Sequence, residues 1–195
     1  LVQRYQHDPV RHEVDSPTVT VDQMHHRFIA VHEMDRVKAA ASIIRSNRRT
    51  MIFTATKHGA DRLAQKLVDE GVSAAAIHGD LRQQMRERSL AQFIDGKLAA
   101  LVATDVAARG IHVDDVDAVI HFDPPVDHKT YLHRSGRTAR AGTSGVVVTF
   151  SLWNQELDVK RLQKRIGLNI PIVEMFSNDP RLEDLIGWDP TAVTA

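Results

Sequence analysis

The sequence has no cysteine among its 195 residues, which excludes a disulfide framework, a thiolate zinc site and a cysteine nucleophile. It has no surplus of either charge, since 25 Lys and Arg balance 25 Asp and Glu. A protein that coats polyanion with its whole surface carries a global basic excess, so any phosphate-binding function must sit on a local strip. No apolar run approaches the roughly 18 residues of a membrane-spanning helix. The opening residues also lack the basic, apolar and small-residue succession of a secretory signal, and the expectation is a soluble, cytoplasmic chain without a membrane partner. What is present is enough apolar residue, 43% against 26% charged, to bury a sizeable core.

Residues 1–20 are polar, contain Pro9 and Pro17 and show no sustained period, which reads as a connector. Beyond it strands and helices alternate. Phe28 to Val31 reads as a strand. Asp35, as an N-cap, then opens a helix with Val37, Ala40, Ala41 and Ile44 at i, i+3, i+4 and i+7. Thr50 to Thr54 is the next strand, followed by a helix with Ala60, Leu63, Ala64, Leu67 and Val68 on one face before Gly71. Val72 to Ile77 precedes a helix over 81–94 with Met85, Leu90, Phe93 and Ile94 inward. Ala99 to Ala103, Val116 to Ile120 and Val146 to Phe150 read as buried strands, and a last helix near 154–166 ends before Gly167. Strands separated by helix-length crossovers imply an α/β fold with a largely parallel sheet, whose ligands bind beyond the carboxyl ends of the strands. Residues 177–195, acidic and with a turn signal at Asp179-Pro180, read as a loosely packed tail.

Three segments at those strand ends can carry chemistry. His133-Arg134-Ser135-Gly136-Arg137-Thr138-Ala139-Arg140 spaces three arginines three apart. If helical at its start, the segment brings the guanidinium groups to one side, either as a solvated basic turn or as a cradle for a triphosphate or a nucleic-acid backbone. It is not a phosphate loop, because Gly136 and Gly142 are six apart and Thr143 follows. Ala103-Thr104-Asp105-Val106-Ala107-Ala108-Arg109-Gly110 leaves a strand with a hydroxyl and a carboxylate. These either meet phosphate and orient an arginine or simply make a capped strand-to-helix turn. His78 to Arg88 opens a helix with Arg82, Arg86 and Arg88 in its first turns. That helix either binds phosphate at its N-terminus or is a surface helix salt-bridged through Glu87. The 11 histidines show no zincin spacing, and no metal site is expected. Asp114, Asp115 and Asp117 read as a solvated loop.

The order and spacing of these segments resemble the second RecA-like domain of a DEAD-box RNA helicase over about residues 21–176. Met51 to Lys57 is similar to that family's motif IV, Gln83 to Arg86 to its Q-x-x-R element, Ala103 to Gly110 to motif V, and His133 to Arg140 to H-R-x-G-R-x-x-R, motif VI. The flavour is of a bacterial RhlE-like member. The resemblance implies a three-layer RecA-like fold, an ATP-dependent RNA helicase, and residues 1–20 as the end of an N-terminal helicase domain plus linker.

It implies further that the N-terminal domain holds ATP with Mg2+, because the Walker A, D-E-A-D and S-A-T strings do not occur here. Arg137 and Arg140 would be arginine fingers on the nucleotide, and Gly110 with His112 would meet its ribose. Thr56, Gln83, Arg86 and Thr104 would contact the RNA backbone without reading sequence. Phe53, Asp105, Arg109, His133 and Arg134 would belong to the interdomain network. The usual R-G-L-D reads Arg109-Gly110-Ile111-His112 here, replacing a carboxylate by imidazole, and Ala139 stands where glycine is common. The implied fragment is inactive alone. The alternatives are a nucleotide-independent RNA-binding or adaptor module and half of a superfamily 2 DNA helicase.

Overall fold

Strands of three to seven residues, apolar for the most part, make up the sheet of a computed structural model, which describes residues 24–108, 111, 113, 116–138 and 145–192. In chain order the elements are β1 (Met24–Ala30), α1 (Arg36–Arg45), β2 (Thr50–Phe53), α2 (Lys57–Asp69), β3 (Ala74–Ile77), α3 (Gln83–Ile94) and β4 (Ala100–Ala103). They continue with α4 (Asp105–Ala108), β5 (Ala118–His121), α5 (His128–Ser135), β6 (Gly145–Ser151), α6 (Glu156–Arg165) and β7 (Ile172–Glu174). The strands form one sheet in the order β3-β4-β2-β5-β6-β1-β7, and every pairing is parallel. Strands β2, β4, β5 and β6 are buried at every residue, as expected for strands covered on both faces. Because successive side chains alternate, Ile29, Ile52, Val102 and Val148 enter one core with α1 and α2. Phe28, Met51, Leu101 and Val147 enter the other with Phe93, Tyr131 and Val159. The layering is the α/β arrangement expected from the sequence.

Three local expectations fail. In α2 the buried stripe is Ala60, Leu63, Ala64 and Leu67, and Val68, one step further round the helix, is exposed. In α3 Met85 and Ile94 face solvent. The inward stripe is instead Arg86, Ser89, Leu90 and Phe93, with only Phe93 fully buried, so a guanidinium holds the position expected for a thioether. The third concerns residues 177–192, which pack against the domain rather than lying loose. Leu182, in a 3-10 turn at Pro180–Glu183, and Leu185 are buried with Met175 in the α1-side core. Buried Arg27 of β1 donates to the Leu185 carbonyl at 2.7 Å, and its guanidinium lies over the Trp188 ring. Asp35 does stand at the N-cap of α1, yet its carboxylate accepts from the backbone N–H and hydroxyl of Ser177, at 2.6 and 2.7 Å, rather than from its own helix. Two apolar residues in a polar stretch are too few to show a period. β7 was not legible because three residues beside Pro171 are too short for an alternation to show.

Candidate nucleotide and nucleic-acid interface

The carboxyl ends of β2, β4 and β5 meet the C-terminal end of α5, and one arginine ties them together. Asp127 starts α5 by accepting from the Thr130 N–H at 2.8 Å and the Thr130 hydroxyl at 2.9 Å, and these bonds lower its carboxyl pKa. About two turns on, Arg134 is 3% exposed. Its Nε and one terminal nitrogen donate to the two oxygens of Asp105, at 2.6 and 2.8 Å, and the other nitrogen donates to the Asp123 carbonyl at 2.9 Å. The guanidinium also lies 5.1 Å from the centroid of Phe53. Motifs IV, V and VI therefore meet at Arg134, which contacts both Phe53 and Asp105. The three motif VI arginines do not act alike, because Arg134 is spent inside the domain. Arg137 follows in the turn after α5, where it donates to the Ile111 carbonyl at 3.2 Å and lies 3.1 Å from His133 Nε2. Gly136 is the C-cap of α5, and its N–H donates to the Leu132 carbonyl at 2.8 Å.

Beside this junction, Thr56 caps α2 and accepts from the Gly59 N–H at 3.0 Å. A hydroxyl used as an acceptor keeps its O–H to donate. Gly59 is fixed by the same contact, because its Cβ would lie 2.8 Å from Thr56 Oγ1. Lys57 pairs with Asp80 at 2.5 Å, which lowers the Asp80 pKa, and His78 Nε2 lies 2.8 Å from Asp61. Both contacts tie α2 to the loop after β3. Arg86 donates to the Ala107 carbonyl at 3.4 Å, joining α3 to α4. Thr104 is buried and its hydroxyl lacks a partner among the described residues, so contact with a phosphate requires the turn after β4 to open. Gln83 is exposed and donates to Glu87 at 2.8 Å, so among the described residues Glu87 serves an amide and no salt bridge to an arginine. Arg109, Gly110, His112 and Arg140 lie outside the described residues. Among the described residues, no group of three His, Asp or Glu side chains is placed to hold a metal ion.

A buried polar network under α5 escaped sequence reasoning. The Tyr131 hydroxyl is 2.6 Å from His26 Nδ1, His121 Nδ1 is 3.1 Å from Thr149 Oγ1, and the His121 and Tyr131 rings meet edge to face at 4.8 Å. Burial raises the Tyr131 pKa. Burial also drives the His121 pKa well below its usual value, with the Arg134 charge next in importance, so the ring is neutral. The available signal was His121 itself, a polar residue ending an otherwise apolar strand.

Comparison with known proteins shows the family. Residues 35–142 match the model of the helicase conserved C-terminal domain. The chain belongs to the DEAD-box helicase family, as its C-terminal RecA-like domain. An ATP-dependent RNA helicase RhlB from Pseudomonas syringae pv. tomato is 36% identical over 172 residues, 87% of this chain and 43% of the relative. The mitochondrial DEAD-box ATP-dependent RNA helicase 9 of Arabidopsis thaliana is 37% identical, with 86% and 28% covered. Among solved structures, a DEAD box protein from Methanococcus jannaschii superposes with a TM-score of 0.68 at 32% identity, covering 77% of this chain and 42% of that one. Saccharomyces cerevisiae Dbp5 bound to RNA and ADP BeF3 superposes with a TM-score of 0.70 at 32% identity, covering 83% and 44%. The chain thus spans under half the length of these relatives, and its bacterial relative carries the name RhlB.

Proposed function

We propose that this domain serves as the C-terminal half of an ATP-dependent RNA helicase, closing over nucleotide and RNA bound jointly with an N-terminal RecA-like domain. The observation that carries the reading is the paired use of motif VI. Arg134 is anchored by Asp105, Asp123 and Phe53, and the next arginine, Arg137, stands on that anchor beside His133. Bound ATP supplies a transferable γ-phosphoryl group, with Mg2+ held by the N-terminal domain. Phosphoryl transfer depends chiefly on positioning and on stabilising charge as it develops. Arg137, oriented by the Ile111 carbonyl and His133, delivers its fork to that charge only when the domains close, and Arg140 joins it. Hydrolysis is thereby coupled to closure. Thr56, Gln83, Arg86 and Thr104 hold the RNA backbone, which gives binding without base readout. Gly110 and His112 take the ribose side, and Arg109 belongs with the closure network.

The test is made in the full-length enzyme. Arg137→Ala is expected to lower RNA-stimulated ATP turnover by about 10³-fold or more, with RNA affinity in the absence of nucleotide nearly unchanged. Arg137→Lys should fail as well, because a point charge lacks the planar fork. Substantial turnover by the lysine variant would remove Arg137 from the finger role.

A further inference from the structure

With β3 at the other end, strand β7 is one of the two edges of the sheet. It pairs with β1 at Phe28↔Ile172 and Ala30↔Glu174, and the Met175 N–H donates to the Ala30 carbonyl at 3.1 Å. In a ladder, alternate residues turn their N–H and C=O to opposite sides, so those of Ile172 and Glu174 point away from β1. Among the described residues these groups have no hydrogen-bond partner. Folded proteins blunt such edges by shortness, proline, charge or a covering element. Here Pro171 guards the start of a three-residue strand, but the strand is flanked by a groove instead of a cover. Two hollows, of about 650 and 790 Å³, share Ile172 as a lining residue. The first runs along α6 past Lys160 and Lys164. The second holds Met34 and Trp153, 95% and 89% exposed, with Glu33, Glu156 and Glu174 around them.

No lysine or arginine lines the second hollow. Its glutamates have local partners, Arg36 at 3.0 Å, Lys160 at 2.6 Å and His32 at 3.3 Å. Exposed pairs of this kind are weak and do not abolish the acidic character of the rim. An exposed tryptophan and methionine beside unpaired backbone and an acidic rim make a specific combination. Trp and Met are enriched where partners meet, and strand addition takes affinity from main-chain bonds and specificity from alternate side chains.

We propose that β7 is a docking edge. An extended segment of a partner protein adds beside it as an eighth strand, sets an aromatic or aliphatic side chain against Trp153 and Met34, and places lysines or arginines against Glu33, Glu156 and Glu174. In the strand order, β5, β6 and β1 separate β7 from β2. At about 4.8 Å per strand the docked segment, one step beyond β7, lies roughly 24 Å from the strand that carries Phe53. It can therefore be held while the nucleotide and RNA interface is occupied.

The test is a titration of the isotope-labelled chain, followed at the amide signals of Ile172 and Glu174. The probe is a ten-residue peptide alternating valine and threonine about a central tryptophan, with two lysines at one end. Two controls replace the lysines by glutamates or place proline on either side of the tryptophan. The lysine peptide is expected to shift both signals and slow their hydrogen exchange at least tenfold, at a concentration at least tenfold below that needed for either control. The Glu156→Gln, Glu174→Gln double variant should bind it several-fold more weakly, with less dependence on salt. The proposal fails if millimolar lysine peptide leaves the two signals unmoved, or if all three peptides act alike. It fails equally if both amides exchange slowly before any peptide is added, since another part of the chain or a second copy would then already cover the edge.

Discussion

Burying Arg134 among Asp105, the Asp123 carbonyl and the Phe53 ring balances its charge only while those partners stay in place. Removing one member of a buried pair strands the other, at a typical cost of 3–5 kcal/mol. Asp105 keeps about a third of its side chain in contact with water, so Asp105→Ala should cost about 3 kcal/mol, at the low end. Urea unfolding of the chain measures it, and a loss under about 1 kcal/mol would mean that water already screens the pair. His121 sets a second expectation. The folded ring refuses a proton that the unfolded ring accepts near pH 6.5, so this contribution is fully present above that pH. It is lost as pH falls, at up to ~1.4 kcal/mol per pH unit. His121→Asn should flatten the stability profile between about pH 6.5 and 5, above the range where the hydrogen-bonded Asp127 and Asp179 carboxylates titrate. Identical slopes in the two proteins would show that the ring is not held neutral. At this scale the sequence was informative about residue types and less so about partners. The Arg134–Asp105 pair spans 29 positions, and spacing within one segment carries no information about such a contact.

The α3 stripe and the C-terminal strap show what decides an element. Periodicity placed every helix from α1 to α3 and α6, yet it misjudged which way α3 faces. A partly exposed helix end tolerates Arg86 inward when its head group reaches the Ala107 carbonyl, and the stem then packs as an apolar group would. The strap, 177–192, has almost no secondary structure of its own and is held by tertiary contacts to β1 and α1. These are Leu182 and Leu185 in the core, Trp188 between the guanidinium groups of Arg27 and Arg181, and Ser177 on Asp35. Leu182→Ala should cost about 2–5 kcal/mol, the range for a fully buried leucine. Met85→Ala, on the exposed side of α3, should stay within about 0.5 kcal/mol. Thermal or urea unfolding of the two variants side by side checks the pair. Near-equal values would mean that the strap is not part of the cooperative unit.

At the scale of the molecule, the alternation of strands and crossovers was legible from β1 to α6, because a parallel sheet forces that pattern on the chain. The order of strands was not, since nothing local records that β1 lies between β6 and β7. The phosphate loop and D-E-A-D strings are absent from this sequence. The purified chain, without an N-terminal helicase domain, should therefore show no RNA-stimulated ATP turnover, and phosphate release above the buffer rate would contradict the proposed division of labour. The strand order also bears on synthesis. β2 to β5 form a contiguous half, β3-β4-β2-β5, that can assemble as soon as it leaves the ribosome. β1 is made before all of them, yet both of its neighbours come last, with β6 starting at Gly145 and β7 at Ile172. At roughly 5–20 residues per second, Phe28 and Ile29 wait on the order of ten seconds with no strand beside them. The first strand of this sheet in chain order is thus among the last to be enclosed, and over that interval the nascent chain offers a chaperone an apolar segment that the finished domain conceals.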